Sequence, residues 1–531
     1  MHLDGRKIEE DTTLRSEICI VGAGAAGITI ARRLAGTSTD VCVLESGGLN
    51  SPGDAQKLYK GENVGLPYFA LNSCRLRYFG GTTNHWAGWC SPLDPIDFQE
   101  RPWIPHSGWP ISRKDLASYY RTAQQICQLG PYNYDVEEWA HRFDPDARLP
   151  FDSSTLSDQV VQLSPPTRFG RTYRKALLSA DNVAVITHAN VTTLRTPPSA
   201  STVTGLEVQC LNGTTFRAEA QQYVLACGGI ENPRLLLLSN EYTPDGLGNQ
   251  NDLVGRFFME HPQVPSATVT FTNREPLSPY APPRFHPGSQ KVMMRPTLAP
   301  GRQQTHHLLN GDIHFNFESS SFYAARTLFH RLRRKKLRFG QNTDELTEAV
   351  SHILADIEGV FHGVDDLLQG QSPWGNRFKS MDVTTYIEQA PNPDSRVQLG
   401  NERDALGQRR VQLDWQLTPL ERRSILRLNK LLAHELGRTG RGRLQLHEWL
   451  RDETADWPQD LKGRWHHMGT TRMGDTPQEG VCNPNCKIFG IDNLYIAGSS
   501  VFPTSGTVPP TLTIVALSLR LADHLKKTLT P

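Results

Sequence analysis

The sequence predicts an α/β protein of two lobes, one Rossmann-like and one built on an antiparallel sheet, with the chain passing between them more than once. Three observations carry that expectation. A strand, a glycine-rich turn, a helix and a second strand follow one another near the start of the chain. Short runs of alternating character fill its middle. The 531 residues also exceed what one hydrophobic core usually supports.

The first lobe is read from its opening motif. Ile18-Cys19-Ile20-Val21 is apolar and rich in β-branched residues, as a buried strand is. Gly22-Ala23-Gly24-Ala25-Ala26-Gly27 follows directly, and the pattern predicts a helix from about Ala25 to Ala35. The first glycine permits a tight turn, the second lets the backbone approach a pyrophosphate, and the third lets the helix pack on the strand. The helix N-terminus adds oriented N–H groups and partial positive charge. Val41-Cys42-Val43-Leu44 reads as the second strand and ends in Glu45. That acid stands about 20 residues beyond the glycines, where it accepts hydrogen bonds from an adenosine ribose. The competing reading is a purely structural turn, and the ordered set of five features favours a dinucleotide over it. The acid does not distinguish NAD from FAD.

Composition bounds the partners. The formal net charge is +1, so no broad field points to nucleic acid or to an anionic membrane. The first residues carry mixed charges without an apolar core, and no apolar run approaches the ~20 residues of a membrane span. A soluble, cytoplasmic protein is expected. Nine cysteines are scattered, and Cys19, Cys42, Cys210 and Cys227 sit in apolar strand-like runs where a thiol acts as a small hydrophobe. Cys482 and Cys486 flank Asn483-Pro484-Asn485 without further Cys or His at metal-ligand spacing, so no metal is expected. Structural thiols are the expectation there, with a disulfide as the alternative.

The order of motifs places a nucleotide-binding lobe at residues 1–110, 175–262 and 464–531, and a substrate lobe at 111–174 and 263–463. Four runs in the second lobe read as antiparallel strands with one covered face: 267–271, 291–295, 312–317 and 381–387. Such a sheet could roof a substrate cavity. Between the third and fourth, a basic run at 331–338 precedes Leu346, Val350, Ile353, Ile357, Val360 and Val364 at helical spacing. An amphipathic helix with a solvated basic neighbour is preferred there over a lid or docking surface. The proline-rich stretch 276–287 reads as surface loop, and no internal repeats are present.

Motifs across the whole chain then carry a resemblance. These are Phe79-Gly80-Gly81-Thr82-Thr83-Asn84-His85-Trp86-Ala87-Gly88, Ala189-Asn190-Val191, Val224-Leu225-Ala226-Cys227-Gly228-Gly229-Ile230-Glu231-Asn232-Pro233 and Gly255-Arg256-Phe257-Phe258-Met259-Glu260-His261-Pro262. Trp465-His466-His467-Met468-Gly469-Thr470, the run 493–504 and Pro510-Thr511-Leu512-Thr513 complete the set. Together they resemble the glucose-methanol-choline (GMC) flavoprotein oxidoreductases, nearest to the pyranose oxidase-like sugar oxidoreductases. The resemblance implies FAD as the dinucleotide. It implies contacts from Gly22, Gly24, Ala25, Ala26 and Gly27, from Glu45 and Ser46, and from Gly81, Thr82, Asn84, His85, Ala87 and Gly88. Val191, then Ala226, Cys227 and Gly228, then Gly498 and Ser499, and finally Pro510 and Thr511 complete the implied cofactor set.

Two positions have particular chemistry. His85 occupies the place where the nearest members bond a histidine covalently to the flavin 8α-methyl group, and a neutral imidazole nitrogen suits such a bond. A histidine in that loop could instead hydrogen-bond backbone. Ala87 replaces a threonine that pyranose oxidase carries beside flavin N5, which opens the question of oxygen reactivity.

His466 holds the first position of the family's His-x-x-Gly-Thr pattern, where the family's base sits. Oxidising an alcohol requires the O–H proton to leave with the hydride, and a group titrating near neutrality can take it. His467 is expected to face away, because adjacent residues on a strand point to opposite faces. The clearest departure is Pro509, which stands where the family carries a second Asn or His and offers no polar side chain. The implied activity is oxidation of a CH–OH group in a sugar, cyclitol or hydroxylated metabolite, with oxygen, a quinone or a redox protein as electron acceptor. The alternatives are a non-alcohol reaction on the same flavin fold, for which Pro509 is the motive, and a flavin-binding subunit without turnover.

Overall fold

In the computed structural model of the chain, residues 1–143, 145–282, 291–317 and 377–529 are described, with a few isolated positions between 324 and 364. Ile18, Cys19 and Ile20 are wholly buried because their strand, Thr13–Val21, lies inside an eight-stranded sheet. Val41–Leu44 pairs with it in parallel on one side and Thr215–Leu225 on the other. Val183–Thr187 and His2–Asp4 continue the parallel order outward, and Leu494–Ile496 joins Thr215–Leu225 in parallel. Gly205–Gln209 and Asn190–Arg195 add an antiparallel edge. At 18–21, 41–44 and 223–225 these strands are continuous apolar runs because both faces are covered there.

The helix Ala25–Leu34 packs against the C-terminal helix Thr511–Leu529, which in turn packs on Ala117–Ile126. Leu116, Tyr120, Ala123 and Ile126 thus belong to the first core. The expected boundary at 111 does not follow this packing: an amphipathic helix joins whichever apolar face it meets, here the C-terminal helix. Trp89–Cys90, inside the expected first lobe, pairs instead with Leu156–Leu163 of the second sheet.

That second sheet has seven antiparallel strands in the order Gly442–Leu446, Gln263–Pro276, Arg377–Ile387, Gly311–Phe315, Lys291–Leu298, Leu156–Leu163 and Trp89–Cys90. The four strands expected in the middle of the chain all lie in it. One face presents Val160, Val269, Met294, Ile313, Phe315 and Val383 to a core shared with Leu428, Leu432 and Leu436 of the helix Pro419–Arg438. That helix starts at a capping box in which Thr418 and Glu421 satisfy each other's backbone N–H groups. The opposite face carries Trp89, Arg295, Asp312, His314 and Tyr386, which meet one another through ring and charge contacts.

The stretch after Pro276 departs from its expected place on the surface. Leu277, Tyr280 and Ala281 are buried in the second core, and the Tyr280 hydroxyl accepts from Leu149 N at 3.0 Å. Its apolar residues outweigh the turn-forming prolines. Residues 283–287 and the basic run 331–338, with Leu346 and Val350, lie outside the described residues. All nine cysteines are free thiols, Cys482 and Cys486 included. Among the described residues no helix is long and apolar enough to cross a membrane.

Candidate active site

A cavity of about 390 Å³ opens where the two sheets approach each other. Its floor is the glycine turn. Gly22 holds φ at +102°, and a Cβ there would meet Ala226 O at 2.7 Å. Gly27 lies against that turn, since its Cβ would fall 1.9 Å from Gly22 O. Gly27 therefore packs the helix and does not line the cavity. Gly24 and Gly498 have open space where a Cβ would stand, and both line the cavity. The helix begins with no side-chain cap, so its first N–H groups are left for an anion. Ala25, Ala26, Ser499, Pro510 and Thr511 border the same space. The open cradle beside two glycines and an uncapped helix start fits a pyrophosphate.

Glu45 lines the cavity, but its carboxylate already accepts from Ala23 N at 2.9 Å and Gly47 N at 2.8 Å. It braces the glycine turn, and burial pushes its carboxyl up. Beside it, Ser46 and Val191 face Ala226, Cys227 and Gly228 across the cavity. Arg75 and Arg77, which the sequence reading did not single out, line this end and meet Glu231 at 2.7 and 3.0 Å. Burial alone would raise Glu231, yet Arg234, Arg75 and Arg77 hold its carboxyl far below the usual range. Among the described residues no cluster of three or more His, Cys, Asp or Glu could hold a metal ion.

Gly81, Thr82, His85, Ala87 and Gly88 border the cavity from the loop after Phe79. Asn84 does not: its amide donates to Phe79 O at 3.0 Å, so the side chain is consumed in tightening its own turn. His85 stacks on Trp465, ring centroids 5.2 Å apart, and its Nε2 is buried without a hydrogen-bond partner among the described residues. Burial, aided by Arg168, pushes its pKa down and keeps the ring neutral. Among the described residues His85 Nε2 thus makes no backbone hydrogen bond, although the residue borders the cavity.

The two adjacent histidines do not sit on a strand. Trp465 adopts φ +63°, rare for so bulky a residue, and the chain turns there before Met468 bridges Met259. The alternation expected for His466 and His467 therefore has no backbone to rest on. Both residues border the cavity, but the His466 ring meets His261, whereas the His467 ring meets Phe258 and Tyr68, with Nε2 3.0 Å from the Tyr68 hydroxyl.

His466 meets a residue outside the expected set. Its Nδ1 lies 2.8 Å from Nδ1 of His261, whose Nε2 is 3.3 Å from Ser505 O. A carbonyl only accepts, so His261 Nε2 carries a proton. Burial pushes the pKa of His261 down to about 4, so the ring is neutral and its Nδ1 is a lone pair. His466 Nδ1 must then donate, which leaves the lone pair of His466 on Nε2. Burial first, then His261 and Arg464, push His466 itself well below its ordinary value.

Glu260 holds both histidines in place. Its carboxylate accepts from the backbone N–H groups of His261, Arg464 and His466 at 3.0, 2.9 and 3.0 Å, and from the Tyr68 hydroxyl. Pro509 also lines the cavity, with no polar side chain and no backbone N–H to offer.

Fold and cradle define an FAD-dependent oxidoreductase, and residues 17–249 match the family described as FAD dependent oxidoreductase. Residues 391–518 match the family described as GMC oxidoreductase, FAD-dependent enzymes that act on CH–OH groups. It is 24% identical to the fructose dehydrogenase large subunit of Gluconobacter japonicus over 97% of this chain and 98% of the relative. It is 25% identical to the 6'''-hydroxyparomomycin C oxidase of Streptomyces lividus over 99% and 94% of the two chains. The crystal structure of pyridoxine 4-oxidase from Mesorbium loti shares the fold, with a TM-score of 0.58 at 17% identity over 96% of this chain and 99% of that one.

Proposed function

We propose that this chain oxidises a CH–OH group of a sugar, cyclitol or other hydroxylated small molecule, with His466 Nε2 taking the hydroxyl proton. The observation that supports this most directly is the pair of histidines, because His261 fixes the tautomer that leaves His466 a lone pair at the cavity. FAD would supply the acceptor for the hydride leaving carbon. Gly22, Gly24, Gly498 and the helix start would hold its pyrophosphate, with Glu45 and Ser46 near the ribose. The depressed pKa of His466 keeps the ring unprotonated and able to accept at neutral pH. Glu260 is a positioning residue that holds the backbone on either side of that acceptor.

The donor that Pro509 cannot provide is available from Arg464, which lines the cavity two residues before His466. Two relatives named for fructose and for hydroxyparomomycin support polyhydroxylated substrates. The electron acceptor is oxygen, a quinone or a redox protein, and nine free thiols suit a cytoplasmic setting. The lobes divide between the parallel sheet with its C-terminal helix and the antiparallel sheet.

Anaerobic titration with sugars, cyclitols and secondary alcohols tests the reading. Bleaching of the flavin by one class is expected. His466→Ala should slow that bleaching by about 10²–10⁴-fold while FAD content is kept. A flavin that dithionite reduces but no alcohol bleaches would overturn it and favour a non-oxidative reaction. The lone Nε2 of His85 supports covalent attachment there. Acid-precipitated protein should then stay yellow, and His85→Ala should release the flavin to the supernatant.

A further inference from the structure

Arg295 is wholly buried, and its Nε, Nη1 and Nη2 meet no hydrogen-bond acceptor among the described residues. Two other buried arginines are paired with carboxylates: Arg101 binds both oxygens of Glu388 at 2.8 and 2.6 Å, and Arg234 reaches Asp404 at 2.7 Å. The counter-charge nearest Arg295 is Asp312, 3.6 Å from Nη1, and Asp312 Oδ1 also faces His314 Nε2 at 2.8 Å. Burial, then Arg295, push His314 down to about 3, so its ring adds no charge.

A second guanidinium stands close by. Arg464 lies 4.1 Å over the Tyr386 ring and lines the cavity, with Nη1 buried and lacking an acceptor among the described residues. Arg295 lies 4.5 Å over the ring of Trp89, another cavity residue. Both guanidiniums are near enough to lower the pKa of His466. Two guanidiniums thus share Asp312 at the wall next to the proposed base, because the carboxylate of Glu260 nearby is taken up by three backbone N–H groups and the Tyr68 hydroxyl. Unpaired buried charge is costly, and the rigid guanidinium fork matches an oxyanion.

We propose that this wall binds an oxyanion substituent of the substrate, a carboxylate or phosphate on a polyhydroxylated molecule, with Arg464 meeting it at the cavity and Arg295 behind. The proposal rests on the reading of this cavity as the substrate site. A neutral hydroxyl could accept a hydrogen bond here but would leave the excess charge in place. An ammonium group would be repelled.

The test uses the purified holoenzyme and four compounds that differ at one carbon: D-glucuronate, D-glucose 6-phosphate, D-glucose and 6-amino-6-deoxy-D-glucose. Binding is read from perturbation of the oxidised flavin spectrum, independently of bleaching. One of the two anions should bind about tenfold to a hundredfold more tightly than glucose, and the amino sugar more weakly. Whichever anion is tighter names the oxyanion. Arg464→Gln, at a partly exposed residue outside helix and strand, should bring the anion-to-neutral ratio near one. Arg295→Gln should lower it as well. Affinities independent of charge, or binding by none of the four, overturn the proposal. Charge-ordered binding without bleaching keeps the oxyanion site and counts against hydride transfer from these alcohols. Bleaching without charge dependence does the reverse.

Discussion

The two walls of the cavity treat buried charge in opposite ways. On the cofactor side, Glu231 is ringed by Arg75, Arg77 and Arg234 at 2.7, 3.0 and 3.2 Å, and Arg75 and Arg77 also stack on Tyr59. On the sheet side, Arg295 has an ion partner only at 3.6 Å and no hydrogen-bond acceptor among the described residues. A satisfied network keeps one shape whether or not anything is bound, which suits a cofactor held through every turnover. An unsatisfied one gains most when a ligand completes it, which suits a substrate that comes and goes.

The largest expected effect comes from breaking the satisfied wall. Glu231→Gln leaves three guanidiniums without their shared anion and should cost about 3–5 kcal/mol of folding stability. Urea unfolding at pH 7 measures it, and FAD retention should fall with it. A loss below about 1 kcal/mol would show that the arginines do not depend on Glu231, and the contrast between the walls would weaken.

A smaller effect concerns the histidines between the walls. Burial pushes His467 down to about 3, whereas an unfolded histidine titrates near 6.5. Below pH 6.5 the unfolded chain takes up a proton that the folded chain refuses. The contribution is whole above 6.5 and is lost as pH falls toward 3. At pH 5 the loss is about 2 kcal/mol for this residue. His467→Gln should shrink the difference in unfolding free energy between pH 7 and pH 5 by about that amount. An unchanged difference would mean that His467 is protonated in the folded protein.

These contacts also show why parts of the site were legible in the sequence and parts were not. The glycines of the cradle could be assigned from order alone, because each does one backbone task at a fixed offset from a strand. Ile18–Val21 and Val41–Leu44 are legible as continuous apolar runs. His466 was found through its motif. His261 was not, since it stands 205 residues from its partner and only the fold brings the two imidazoles together. The same holds for Glu260, 192 residues from Tyr68. The face bearing Arg295, Asp312 and His314 misled differently. Alternation along a strand normally marks the polar side as solvated, and here that side is buried against the cavity wall.

The smallest expected effect falls on that face and carries the opposite sign of dependence. If Arg295 waits for a ligand, its removal costs little in the ligand-free protein, because few favourable contacts are lost and a buried charge disappears. Asp312 would keep the neutral His314 ring at 2.8 Å, and the charge of Arg464 would still oppose burial's upward push on its carboxyl. Arg295→Met should therefore change folding stability by no more than about 1 kcal/mol, measured by urea unfolding beside Glu231→Gln. A loss as large as that of Glu231→Gln would make Arg295 a structural ion pair like Arg101. The two walls would then differ in hydrogen-bond geometry alone and not in purpose.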